Sequence, residues 1–208
     1  MKDFSEVLAF HNKNKQKIHS FLDFSRQKIN SKDDIFFELC FCLLTPQSKA
    51  VLCRKSLENI WTSGGISGKS KKQVLSHIDC VRFNDRKADY LILAQRNFNE
   101  IYAKIEELKS EPFALREWLV KNIKGYGYKE ATHFLRNIGL GENFAMFDVH
   151  ILRFMKKNGI IDEENISGRR KYLEYEQKFI ALAERHGLKP AELDIVVWLM
   201  GSGNEEIM

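Results

Sequence analysis

This sequence predicts an all-α fold of about ten helices, and three observations carry the prediction. Prolines occur only at Pro46, Pro112 and Pro190, so helices can run almost uninterrupted. β-Branched residues are scattered rather than alternating with polar ones, and no hairpin signal appears. Apolar residues recur at spacings of three and four along most of the chain. With 208 residues, 44% of them apolar, the chain is one large domain or two small lobes sharing a core.

The elements follow in order. Phe4, Val7, Leu8, Ile18, Phe21 and Leu22 fall at helical spacing, so a first helix is expected over residues 4–29. Ser31 caps a second, with Asp33 and Asp34 in its first turn, where carboxylates suit the helix dipole. This second helix, residues 35–44, is apolar nearly all round and therefore belongs at the centre of a domain. It ends at Thr45-Pro46, because a residue before proline avoids the helical region. Ser48 stands where it can cap a third helix over residues 49–60, and Gly64, Gly65 and Gly68 then break the pattern. A short helix is expected over 71–77, and a long one from Asn84 or Asp85 to about Leu108. Pro112 suits the first turn of the next, which ends at Ile123. A glycine turn and another helix follow, then one starting at Asp148, one over 169–186 closed by Gly187, and a last from Pro190 to Met200. One lobe is expected over roughly 31–118, the other from the N-terminal helix plus 119–208.

The bulk properties narrow the function. A net charge of +5 and a pI near 8.9 suit a polyanionic partner without proving one. The N-terminus MKDFSEVLAFHNKNK has no signal-peptide layout, and no apolar run approaches the ~18 residues of a membrane span, so a cytoplasmic protein away from membranes is expected, associated with the nucleoid if the source is prokaryotic. Cys40 and Cys42 lie in the apolar run FFELCFCLL, where thiols pack as small hydrophobes. With Cys53 and Cys80 they match neither a zinc site nor an iron–sulfur loop, so the four read as reduced thiols and no metal or cofactor is expected.

The most informative stretch is WLVKNIKGYGYKEATHFLRNIGLGENFAMFDVHILRFM, residues 118–155. Two glycines flanking one residue between amphipathic helices have the form of a helix–hairpin–helix. Gly125 and Gly127 can both take positive φ and let the turn approach a phosphate, which the amides opening the next helix then face. Lys121 and Lys124 add cations. Such contacts position a nucleic acid without reading its sequence. A plain corner with glycines at the helix C-cap has the same local pattern. Lys129 follows in the first turn, an unfavourable place for a cation in a purely structural role. A neutral lysine amine there can attack a sugar C1′ and form a Schiff base. Asp148, between apolar residues at the start of a helix, is an N-cap in any case. It can also stabilise an oxocarbenium-like sugar and shuttle protons.

The pattern KGYGYKEATHFLRNIG followed by FAMFDVHILRFM resembles the helix–hairpin–helix DNA glycosylase superfamily. Within it, this segment, together with FELCFCLLTPQSKA, Val81-Arg82-Phe83, Lys87-Ala88, Leu193-Asp194 and Trp198, is most similar to the type-2 8-oxoguanine DNA glycosylase/AP lyases. The resemblance implies a two-lobed all-α glycosylase fold without an iron–sulfur cluster, acting as a monomer on double-stranded DNA that contains a damaged base. It implies Lys129 as nucleophile, Asp148 as catalytic carboxylate and Gln47 as the amide that fills the void left by an extruded nucleotide. Arg82 and Phe83 form an arginine–aromatic pair able to wedge into the stack. Trp198, Asp194 and His133 are candidates for the base pocket, Trp198 by stacking and Asp194 by accepting N–H groups of the base. The tail after Trp198 departs from the type-2 pattern: it carries two glutamates and no lysine, with Asn204 where a lysine is expected. The function expected is base-excision repair by a bifunctional glycosylase/AP lyase for an oxidised purine. The alternatives are a same-fold enzyme for another damaged base or abasic sites, and a non-catalytic DNA-binding module.

Overall fold

The computed structural model describes residues 4–203 and contains ten α-helices and no strand among them. The tail residues 204–208, on which the missing lysine falls, lie outside the described residues. No described helix is long and apolar enough to cross a membrane.

The helices divide between two compact units. One comprises the chain up to Gln27 together with Leu135 onward, and holds α1 (Ser5–Lys28), α8 (Val149–Lys157), α9 (Gly168–Arg185) and α10 (Pro190–Ser202). The other comprises Lys28–Phe134, and holds α2 (Lys32–Leu44), α3 (Ala50–Thr62), α4 (Lys71–His77), α5 (Asn84–Leu108) and α6 (Pro112–Asn122). The boundary falls inside α7 (Tyr128–Asn137).

The sequence places that boundary at about residue 118, and the structure moves it to 134. The reason is local bonding. The buried Tyr126 hydroxyl donates to Leu39 O at 3.0 Å, and the buried Arg116 guanidinium donates to Thr132 Oγ1 at 3.3 Å. The glycine turn and the first part of α7 are therefore built onto the central helix α2. That helix is buried along nearly its whole length, as its all-round apolarity requires.

One start differs from expectation. Ser48 does not cap α3, whose N-cap is Lys49 with no side-chain bond; the Ser48 hydroxyl is used elsewhere, as described below. Helix α5 starts at Asn84, as expected, and is entered through Phe83 in the left-handed region, with no side-chain cap. Ser31 caps α2 as its position suggests, its hydroxyl accepting from Asp34 N at 3.2 Å.

Candidate active site

The hairpin is built within the Lys28–Phe134 unit. Only one of its glycines has positive φ: Gly125, at +101°. A Cβ there would lie 2.5 Å from Tyr90 Cδ2 and 3.1 Å from Leu43 Cδ2, so backbone conformation and packing both demand glycine. Gly127 differs from the expectation. Its φ is not positive, and its amide donates to the Glu130 carboxylate at 3.1 Å, as in the returning half of a capping box. One hairpin amide is thus already satisfied by an anionic side chain, and a phosphate would rely on its neighbours and on the exposed Lys121 and Lys124.

Lys129 is the second residue of α7 and is half-buried. It makes no hydrogen bond or ion pair among the described residues, whereas the residues around it are tied down. Tyr128 OH donates to Glu117 Oε2 at 2.7 Å, and the Arg116 guanidinium lies 5.5 Å from the Tyr128 ring. The frame is fixed and the amine is left available.

The wedge candidates lie in the same unit, and the structure brings them together. Gln47 (φ 54°) and Phe83 (φ 57°) are the two non-glycine residues with positive φ among the described residues. Both are exposed, Phe83 by 55%. A left-handed conformation is costly for a bulky side chain and persists only where the surroundings enforce it. Here Lys87 and Ser48 enforce it. Lys87 is 4% exposed and donates to Leu44 O at 2.6 Å, Pro46 O at 2.7 Å and Ser48 Oγ at 3.1 Å. Ser48 Oγ also accepts from Arg82 N at 3.1 Å, which joins the Gln47 turn to the Arg82–Phe83 turn. The Arg82 guanidinium sits 5.3 Å from the Phe83 ring.

Burial lowers the Lys87 ammonium below the usual lysine range. Its three protons have three acceptors, none of them a carboxylate, so it serves as a staple and not as a nucleophile. Lys87→Met keeps the aliphatic stem but leaves two carbonyls without this donor. The expected loss is on the order of 2 kcal/mol, seen as a Tm lower by roughly 5 °C. Binding to lesion-containing duplex should weaken in parallel, and an unchanged Tm would remove the staple from the account.

Asp148 is built within the other unit. It is the N-cap of α8, with Oδ1 accepting from His150 N at 2.8 Å and Ile151 N at 2.9 Å. No hydrogen bond within the described residues falls on Oδ2. The loop leading to it, Phe144–Phe147, is buried and anchored. Tyr172 OH donates to Ala145 O at 2.8 Å, Ala145 N donates to Glu176 Oε1 at 3.4 Å, and Met146 N donates to Asp194 Oδ1 at 3.2 Å.

Two base-pocket expectations need correction. Asp194 is 1% exposed, and its other oxygen accepts from Arg136 Nη1 at 2.9 Å. It therefore holds the loop before Asp148 from behind and does not present acceptors to a base. His133 is 8% exposed and stands edge-on to Phe41 with ring centroids 5.7 Å apart, a core-packing position. Trp198 remains half-buried on α10. Nearby, His150, Arg153, Lys157, Val197 and Met200 border a cleft of about 270 Å³ that the sequence did not indicate.

Burial pushes the Asp194 carboxyl from 3.8 up to about 7; the Arg136 charge opposes this and the Asp148 charge adds to it. The folded protein then binds a proton that the unfolded chain releases, so this group's contribution to stability is complete below about pH 4 and is lost as pH rises through about 7. Asp194→Asn, which cannot titrate, should flatten the fall in urea midpoint between those pH values. A slope equal to that of the parent protein would assign it to other groups.

The fold and the sequence are shared with known proteins. The family model described as 8-oxoguanine DNA glycosylase matches residues 15–188. A Methanocaldococcus jannaschii protein named 8-oxoguanine DNA glycosylase/AP lyase is 38% identical over 204 residues, covering 96% of this chain and 92% of the relative. A Fusobacterium nucleatum protein of the same name is 37% identical over 179 residues, covering 82% and 81%. The crystal structure of the M. jannaschii 8-oxoguanine glycosylase/lyase in complex with 15mer DNA containing 8-oxoguanine superposes with a TM-score of 0.90 at 32% identity over 100% of both chains. The Thermotoga maritima 8-oxoguanine DNA glycosylase gives 0.88 at 26% identity over 98% of both chains.

Proposed function

Because the chain belongs to the 8-oxoguanine DNA glycosylase family, we propose that it excises 8-oxoguanine from duplex DNA and then cleaves the strand at the resulting site. Lys129 Nζ, in its neutral form, attacks C1′ of the extruded nucleotide. The bond from C1′ to the base nitrogen breaks, its electron pair leaves with the base, and the base takes up a proton. Negative charge on Asp148 stabilises the electron-deficient sugar in that step. The sugar ring opens to a protonated imine on Lys129. Loss of a C2′ proton then expels the 3′ phosphate with its electron pair, which is β-elimination, and hydrolysis of the imine frees Lys129. Gln47, Arg82 and Phe83 occupy the gap and support the unpaired strand.

The observation that carries this reading is the half-buried lysine in the first turn of the hairpin helix, which has no partner among the described residues. A panel of duplexes, each with one oxidised, alkylated, deaminated or abasic site, tests the substrate. Cleavage at 8-oxoguanine should exceed that at the other damaged bases by tenfold or more. Equal cleavage of abasic sites and no release of 8-oxoguanine would reduce the enzyme to a lyase.

A further inference from the structure

Away from the elements assigned to DNA, one side-chain cluster in the unit formed by the chain up to Gln27 and from Leu135 onward has no role in the reaction. His11 and His19 lie two turns apart on α1, and Glu192 lies in the first turn of α10. Their ligand atoms all fall within 4.8 Å of one another. His11 is 4% exposed, and its Nε2 has no hydrogen-bond partner among the described residues. It lies 4.0 Å from Glu192 Oε1, too far for a hydrogen bond, while His19 Nε2 lies 2.6 Å from the same oxygen. A buried imidazole nitrogen aimed at a carboxylate it does not reach is a costly arrangement unless something comes between them.

We propose that His11, His19 and Glu192 form a binding site for one imidazole-preferring divalent cation, Zn²⁺ above all, that ties α1 to the start of α10. Two ligand atoms at about 2.0–2.2 Å from a tetrahedral ion stand roughly 3.4 Å apart. The two observed separations, 4.0 and 2.6 Å, bracket that value, so an ion entering would close one and open the other by less than an ångström. The side chain that must move most is His19, which is 44% exposed and free to do so. Glu192 is already aimed. Its Oε2 accepts from Lys189 N at 2.8 Å in the α10 capping box, which turns Oε1 toward the two imidazoles.

Two imidazoles and one carboxylate leave a fourth position for water. This set suits Zn²⁺, and not the oxygen-preferring Mg²⁺ or Ca²⁺. The sequence offers little sign of it, because the histidines are eight residues apart and the carboxylate is 173 residues beyond the second.

The test uses the full chain stripped with a chelator and then titrated with Zn²⁺ or Mg²⁺, read by calorimetry and thermal unfolding. One Zn²⁺ per chain should bind, and at ~100-fold excess over Kd the Tm should rise by roughly 5–10 °C, with no rise for Mg²⁺. His19→Gln alters a half-exposed side chain and leaves the core intact. Glu192→Gln keeps an acceptor for the capping box and loses the charge. Each should weaken Zn²⁺ binding at least tenfold and abolish the Tm rise, while its metal-free Tm stays near that of the parent. Absence of a Zn²⁺-dependent rise in the parent overturns the proposal. So does a His19→Gln protein that binds Zn²⁺ as the parent does, since the ion would then sit elsewhere.

Discussion

Lys129→Gln abolishes the covalent protein–DNA adduct that borohydride traps on a duplex containing 8-oxoguanine, and lowers strand cleavage by on the order of 10³-fold or more. Two lysines on the Lys28–Phe134 unit make the experiment decisive. Lys129 has no partner among the described residues, so removing its charge orphans none of them, and the Tm should stay within about 1–2 °C of the parent. DNA binding should persist, because Lys121, Lys124 and the hairpin are untouched. Lys87 is the opposite case: its ammonium is spent on Leu44 O, Pro46 O and Ser48 Oγ. Lys87→Met should therefore lose stability while still forming the trapped adduct. If Lys129→Gln traps as the parent does, the imine forms on another amine and the assignment fails.

The contrast between those two lysines also marks how far the sequence could be read. Helix periodicity, the Ser31 cap, the proline boundaries and the glycine turn are local signals, and the structure has helices where they fall. The lysine beside the turn and the aspartate at a helix start are visible because each is the wrong residue for its local position, or more than that position needs. Groups whose meaning depends on distant partners are less visible. Nothing near residue 194 says that Asp194 meets Arg136 and the Met146 amide, so a flanked carboxylate looked like a base contact.

A usable signal was nevertheless present. On α5 the buried stripe runs Lys87, Leu91, Ala94, Phe98, Ile101, Ile105, with a lysine where an apolar residue belongs. Glu176 interrupts the stripe of α9 in the same way, and His11 that of α1. A polar residue on the apolar face of a helix must find a partner on folding. Lys87 found the Gln47 turn and Glu176 the loop before Asp148, whereas His11 faces the α10 carboxylate without reaching it. The left-handed Gln47 and Phe83 had no comparable signal, because their strain is imposed by the staple behind them and not by their own sequence.

Asp148→Asn separates the two roles that one side chain holds. As N-cap of α8, Asp148 uses only Oδ1, which accepts from His150 N and Ile151 N. Asparagine caps about as well as aspartate, so the variant should fold with a Tm within about 2 °C of the parent. What it loses is the negative charge and the proton-accepting oxygen. Charge stabilisation of the sugar and proton transfer each contribute factors of about 10²–10⁴, so excision of 8-oxoguanine should fall by at least 10²-fold in single-turnover measurements. Asp148→Ala removes the cap as well, and should add a loss of ~1 kcal/mol, or roughly 2–4 °C in Tm, to the same loss of activity. Equal activity in Asp148→Asn and the parent would leave Asp148 a cap and nothing more. A large fall in Tm for the asparagine variant would instead show that the charge itself holds α8, beside the buried carboxyl of Asp194 whose titration it already influences.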